Sequence, residues 1–318
     1  MRGRRRVVGL CGAMVVLLGL CVAPVGVGVG VSGAATPGQP AATLVQGLIA
    51  DATSPGGTPA GMNNWSCKPS PAHPYPVLLL HGTLFNENLT WQALSPELAA
   101  AGYCVFGFDY GGASDTQYGV YGESDIATAA KQLALFIGYV RIATEARQVD
   151  IVGHSQGGMM PRYYMKFLGG APDVHMLIGL APSNHGTTLD GSDTLLSELH
   201  DLGVNIFTLS GCLACTQQIN GQGSNFMAML NAGGDTVPGP KYVVIESEYD
   251  EVVTPYTSAF LNGPNVDNIL LQDQCPIDFS DHIGITYDPV ALQDVVNALG
   301  SDSPSFTPTC SFVPPVIG

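Results

Sequence analysis

Short, almost unbroken apolar blocks alternate along this chain with longer segments in which apolar residues recur every three or four positions. The blocks at 75–80, 103–109, 149–153, 174–180 and 242–246 are rich in Val, Ile, Leu, Tyr and Phe, which predicts buried strands. The segments at 91–101, 124–144, 159–168 and 289–299 are longer and periodic, which predicts helices, the first stopped by Gly102. Strands alternating with helices predict an α/β fold with a mainly parallel central sheet and helices on both faces. Residues 36–73, rich in Pro, Gly, Ala and Ser, predict an irregular arm tied down by Cys67.

Two stretches break the alternation. Residues 183–236 are too long for an ordinary connection and predict a cap or lid insertion. Within it Leu195, Leu196, Leu199 and Leu202 share one helical face, followed by Ile206, Phe207 and Leu209. That face either offers apolar surface over a site or packs on the core. At the N-terminus, Arg2, Arg4, Arg5 and Arg6 precede an apolar run over 7–31 and the small residues Gly33, Ala34 and Ala35. A basic, then apolar, then small-residue order predicts a signal peptide over 1–35, cleaved near Ala35. A retained anchor and a twin-arginine leader are the alternatives. No later apolar run is expected to span a membrane, so no stable membrane anchor is expected and the protein is read as secreted.

Cleavage changes the charge and cysteine counts. Without the leader arginines, 7 basic residues face 26 acidic ones over 36–318, a net charge of −19. Such a field repels nucleic acid and anionic membranes and excludes them as partners. Cys11 and Cys21 leave with the leader, and Cys67, Cys104, Cys212, Cys215, Cys275 and Cys310 remain. An even count in an exported chain predicts three disulfides among 15 possible pairings. Nearness in sequence and in the expected fold favours Cys67–Cys104, Cys212–Cys215 and Cys275–Cys310. Cys212-Leu-Ala-Cys215 also fits a redox or zinc motif, without the thioredoxin-like unit such a motif needs.

The chemistry centres on Gly153-His154-Ser155-Gln156-Gly157, a G-x-S-x-G between a predicted strand and a predicted helix. A tight turn there exposes a serine hydroxyl and aims a helix N-terminus at it, so Ser155 is the candidate nucleophile. A strand–G-x-S-x-G–helix unit resembles that of the α/β-hydrolases, where an acid and then a histidine follow the serine. Asp250 lies just past the 242–246 strand, with Glu246, Glu248 and Glu251 as competitors. Of the 7 histidines only His282 follows Asp250, so it is the candidate base. Asp281 adjoins it and points elsewhere if the chain is extended. The oxyanion donors are expected at the main-chain N–H of Gln156 and of Thr83, after the strand ending at His81-Gly82. The Thr83 hydroxyl is a possible third donor. His154 is read as structural, and His185 as lining the site without chemistry. Trp91, Phe106, Phe108, Tyr110 and Phe207 could line a pocket, but aromatics at such positions more often pack in the core. Asp273, Asp278 and Asp281 offer oxygens for calcium, yet acids in a loop are more often solvated, so no metal is expected.

The matching text is Pro76-Val77-Leu78-Leu79-Leu80-His81-Gly82-Thr83, Gly153-His154-Ser155-Gln156-Gly157-Gly158, Asn184-His185-Gly186-Thr187, Tyr249-Asp250-Glu251-Val252-Val253-Thr254-Pro255, Asp281-His282 and the paired cysteines. Over about residues 60–300 this resembles the secreted lipase/esterase branch of the α/β-hydrolases, and in it the bacterial class 2 triacylglycerol lipase/esterase family common in actinomycetes. The Thr83/Gln156 pair looks like the oxyanion arrangement of yeast-type lipase B enzymes. The resemblance implies an α/β-hydrolase domain over 36–318, a Ser-His-Asp triad, no organic cofactor, and hydrolysis of acylglycerols or simpler esters. The expected partner is thus an ester or lipid substrate. A cutinase-like polyester depolymerase is the alternative, although G-H-S-M-G text is missing. A non-catalytic lipid-binding relative is the other; such relatives usually lose a triad member, and none is missing here.

Overall fold

The computed structural model describes residues 43–54, 56–112, 119–190, 212–219 and 225–315. Six strands form one sheet: β1 Val77–Leu80, β2 Val105–Gly107, β3 Val149–His154, β4 Val174–Leu180, β5 Lys241–Glu246 and β6 Val266–Leu270, in the order β2-β1-β3-β4-β5-β6. Every neighbouring pair is parallel. Alternate side chains feed opposite cores. Val77, Leu79, Val152, Ile178, Val243 and Ile245 face one, with helices α1 (Leu44–Thr53), α2 (Glu87–Thr90), α3 (Leu94–Ala100) and α9 (Pro289–Leu299). Leu78, Leu80, Phe106, Ile151, Leu177 and Val244 face the other, with α4 (Ile126–Thr144), α5 (Gln156–Phe167), α6 (Leu213–Gln218) and α7 (Phe226–Asn231). Burial on both faces explains why the strands read as unbroken apolar blocks. Truncating one such side chain, as in Ile151→Ala, would cost roughly 2–5 kcal/mol. Trp91, Phe106 and Tyr110 belong to these cores.

Four expectations are corrected. Part of the irregular arm is helical: α1 starts in a capping box, with the Thr43 N–H donating to Gln46 Oε1 at 2.8 Å and the Gln46 N–H to Thr43 Oγ1 at 3.4 Å. The helix expected over 91–101 is the shorter α3, and an unexpected helix, α2, precedes it, because Asn86 caps a turn there by accepting the Leu89 N–H at 2.7 Å. Edge strand β6 was not expected at all; Asp267 and Asn268 interrupt its apolar pattern on the exposed edge. Finally, α4 is as long and apolar as a membrane span. Ile126, Ala129, Ala130, Leu133, Ile137 and Val140 on it are buried against the sheet, so it is a core helix.

The cysteines pair as Cys67–Cys104, Cys212–Cys215 and Cys275–Cys310. The C-x-x-C is therefore a disulfide at the start of α6. A helix of four residues, α8 (Leu271–Gln274), leads to Cys275. The leader over 1–35 lies outside the described residues, as do residues 191–211 and 220–224 of the expected insertion, with Leu195, Leu196, Leu199, Leu202, Ile206, Phe207 and Leu209. Two α5 side chains hold what surrounds that stretch: Lys166 donates to Leu230 O, Ala232 O and Gly234 O. Arg162 donates to Asn184 O at 2.9 Å, to Asp235 O at 3.0 Å and to Asn231 Oδ1 at 2.5 Å. His185 joins the clamp through Asp235 Oδ1 at 3.1 Å and Ser258 O at 3.0 Å.

Candidate active site

Because the strands run parallel, the ends of β1, β3 and β5 open onto one edge of the sheet, where ligands of such sheets bind. At the end of β3, Ser155 has φ 53° and ψ −120°, a backbone region that costs a residue with a side chain on the order of 1–3 kcal/mol. Its N–H donates to Leu180 O at 2.9 Å, fixing the turn on β4. The flanking glycines answer a lack of space rather than a need for positive φ. A Cβ on Gly153 would lie 2.0 Å from Gly157 O, and one on Gly157 would lie 2.3 Å from Leu80 O.

Gln156 is the first residue of α5, so its N–H has no acceptor within the helix. Among the described residues neither that N–H nor the Thr83 N–H donates to a protein acceptor. Gly122 abuts the Thr83 backbone and the Gln156 side chain: a Cβ there would be 3.0 Å from Thr83 Cα, 2.9 Å from Gly82 O and 3.3 Å from Gln156 Oε1. The Gln156 side chain donates to Gly122 O at 3.1 Å. Thr83 Oγ1 accepts from Gln218 Nε2 at 2.9 Å, which leaves the hydroxyl proton free to point elsewhere. Gln218, at the end of α6, is itself fixed by the Ser183 hydroxyl at 2.6 Å and by Ala214 O at 3.0 Å. His81 holds the loop's root. Its Nδ1 pairs with Gly82 O at 2.8 Å, and its Nε2 accepts the Tyr110 N–H at 3.2 Å. Tyr110 stacks on the ring and donates its hydroxyl to His81 O at 2.6 Å. Burial lowers the His81 pKa to about 4, so the ring is neutral and its tautomer is set by these partners.

Asp250 Oδ2 pairs with His282 Nδ1 at 2.7 Å, both side chains buried. Asp250 Oδ1 accepts the Val252 and Val253 N–H groups at 2.8 and 2.7 Å. Burial alone would push this carboxyl up, but the His282 charge and these donors outweigh it and hold it below the ordinary range. Burial likewise opposes charge on His282, and Asp250, Glu251 and Asp281 outweigh it and raise its pKa. Of the competing acids, Glu248 is exposed, Glu246 is wholly buried behind Asp250, and Glu251 accepts the His282 main-chain N–H at 3.4 Å. Asp250 is the acid that meets the imidazole.

The chain around His282 is not extended. Asp281 Oδ1 accepts the Ile283 and Gly284 N–H groups at 3.0 and 2.7 Å, which turns the carboxylate away from the ring. Nor are the loop acids all solvated as expected. Asp273 is exposed, but Asp278 and Asp281 are buried. Asp278 is in hydrogen-bond contact with Asp288, whose carboxyl burial and the Asp278 charge push up to about 8. The His282 loop is also tied to the serine turn. His154 donates from Nε2 to His282 O at 2.8 Å, and the two rings lie 4.8 Å apart. Burial lowers the His154 pKa to about 3, so this neighbour of Ser155 is a neutral strut. The structure thus joins Asp250 to His282, and His282 to the residue before Ser155. Among the described residues no hydrogen bond joins the Ser155 hydroxyl to His282. Gln218 and Gly122 are the site residues that sequence reasoning missed, and Glu246 was named only as a competing acid. Gln218 meets Thr83 across 135 positions and Gly122 meets Gln156 across 34, beyond any local pattern.

A strained serine at a helix N-terminus, N–H donors on two elements without an acceptor among the described residues, and a buried Asp–His pair are groups of the kind that acyl transfer can use. In fold the chain is similar to lipase B of Aspergillus fumigatus, at 22% identity and a TM-score of 0.58, over 80% of this chain and 56% of that one. It is also similar to the mature form of the Bacillus licheniformis lipase BlEst2, at 17% identity and a TM-score of 0.52, over 73% of this chain and 94% of that one. This chain therefore spans little more than half the length of the Aspergillus protein. Both likenesses fit the α/β-hydrolase fold. The family description "Lipase (class 2)" matches residues 74–294, and the chain belongs to that family.

Proposed function

We propose that this protein is a secreted serine hydrolase of carboxylic esters, acting on acylglycerols or simpler esters through Ser155, His282 and Asp250. Ser155 Oγ attacks the ester carbonyl while neutral His282 takes its proton through Nε2. Asp250 holds the ring by Nδ1 and stabilises the imidazolium. The oxyanion of the tetrahedral intermediate is held by the N–H groups of Gln156 and Thr83, and the Thr83 hydroxyl supplies a third donor. His282 returns the proton to the leaving alcohol, and the acyl group stays on Ser155. Water, deprotonated by His282, then releases the acid.

The observation that carries this reading is the buried 2.7 Å Asp250–His282 pair, tied through His154 to the Ser155 turn. Three disulfides support an oxidising destination, as does the leader-like N-terminus. Ser155→Ala, assayed on p-nitrophenyl esters, is expected to lower kcat about 10⁴-fold or more while leaving the fold intact by circular dichroism. Retained turnover would remove Ser155 as the nucleophile. A rate series from acetyl to oleoyl esters then reads the acyl preference.

A further inference from the structure

Glu246 ends β5, has no exposed surface and takes no part in the reaction as proposed. Its Oε1 accepts the Ser247 N–H at 2.9 Å. Its Oε2 meets no N–H or O–H donor among the described residues, and the carboxyl is in hydrogen-bond contact with Asp250. Two carboxylates touching in a dry interior cannot both be ionised, so the pair keeps a proton. Counting donors decides where. Asp250 receives three, from Val252, Val253 and His282, whereas Glu246 receives one, from Ser247. Negative charge is best stabilised where the donors converge, which leaves the proton on Glu246. The pKa directions agree: burial and the Asp250 charge push Glu246 well above the ordinary range, while Asp250 is held below its own.

We propose that Glu246 is a positioning residue that stays neutral, donates its carboxyl O–H to Asp250, and through Asp250 limits the basicity of His282. The inference rests on Asp250 being the acid of the triad. A neutral donor behind Asp250 spreads the charge that the imidazolium feels. An ionised Glu246 would add a second charge and raise the His282 pKa further. The other titratable groups facing this assembly are Glu251, Asp281 and His154. Glu251 is pushed up to about 8 by burial and by Asp281 and Asp250, while the His282 charge pulls it down. Asp281 is turned to its own N–H donors, and His154 is neutral. Glu246 is the acid in contact with the Asp250 carboxylate.

The test compares Glu246→Gln, neutral and still a donor, with Glu246→Leu, neutral and no donor. The pH profile of kcat/KM on a soluble ester is measured for the parent and both variants, together with infrared difference spectra at pH 7. Gln is expected to keep the acid-limb midpoint within about 0.2 pH unit of the parent, and Leu to raise it by about half a unit or more. The parent-minus-Glu246→Gln difference spectrum is expected to show one protonated-carboxyl carbonyl band, while any bands of Glu251 and Asp288, common to both proteins, cancel. A downward shift in both variants means Glu246 is charged and overturns the proposal, as do three identical profiles. If Glu246→Leu does not fold, the Gln profile and the band still decide. Activity surviving in Ser155→Ala sinks the triad while the infrared band still reports on Glu246, so the two failures are separable.

Discussion

The histidine half of the site gathers His282 and four acids, Glu246, Asp250, Glu251 and Asp281, all buried except the half-buried Glu251. The oxyanion half is built from main-chain N–H groups, Gly122, the hydroxyl of Thr83 and the amides of Gln156 and Gln218, and its one imidazole, His81, is held neutral. In the proposed reaction the first half works by charge and answers to pH, and the second works by backbone position and answers to shape. A lesion in one should therefore carry a different kinetic signature from a lesion in the other.

The largest effect is expected from Asp250→Asn, which offers His282 the wrong partner at Nδ1. A kcat loss of about 10⁴-fold on p-nitrophenyl esters is expected, by analogy with the same change in other triads. In the parent, kcat/KM should fall as pH drops through a midpoint above the ordinary histidine value of 6.5, because the base must be neutral and its pKa is raised. A midpoint at or below 6.5 would contradict the acid-rich histidine half.

Next comes Gly122→Ala. Its φ of 71° and the 2.9 Å approach to Gly82 O would force the Thr83 loop aside. A kcat loss of about 10²–10³-fold is expected, as for removal of one oxyanion donor, with the pH midpoint unmoved. Gln218→Met, which frees Thr83 Oγ1, should lower kcat by roughly tenfold, again without moving the midpoint. A shifted midpoint in either variant would break the division between the halves.

The smallest effect concerns stability. Asp288 is raised in the fold to about 8, so between its ordinary range and pH 8 the folded state binds the extra proton. That contribution is complete at acid pH and is lost as pH rises towards 8. Asp288→Asn keeps the cap on Val290 and cannot ionise. The fall in Tm between pH 5 and pH 8, followed by calorimetry, should be shallower in the variant by a few degrees, roughly.

How much of this the sequence disclosed follows the same division. Ser155 was legible because a strand, two space-starved glycines and a helix start are local and contiguous. Asp250 and His282 were legible through chain order after a strand end. The parallel sheet was legible because both its faces are buried, which leaves unbroken apolar blocks; β6 was missed where Asp267 and Asn268 meet solvent at the edge. Helix α1 carried a readable Thr43–Gln46 capping box within a Pro- and Gly-rich stretch that masked it. The grip of Gln218 on Thr83 spans 135 positions, and the proton shared by Glu246 and Asp250 depends on burial that no short window contains.

Arg162 has one further consequence. A single guanidinium on α5 holds the chain where it leaves the sheet region at Asn184 and where it comes back at Asp235. The stretch between them is closed at its base like a purse string. Closing a loop costs only about 0.6 kcal/mol more for each doubling of its length. Changes in the length of that stretch therefore cost the sheet and its serine turn little, provided α6 and α7 keep their places in the core and Gln218 its hold on Thr83.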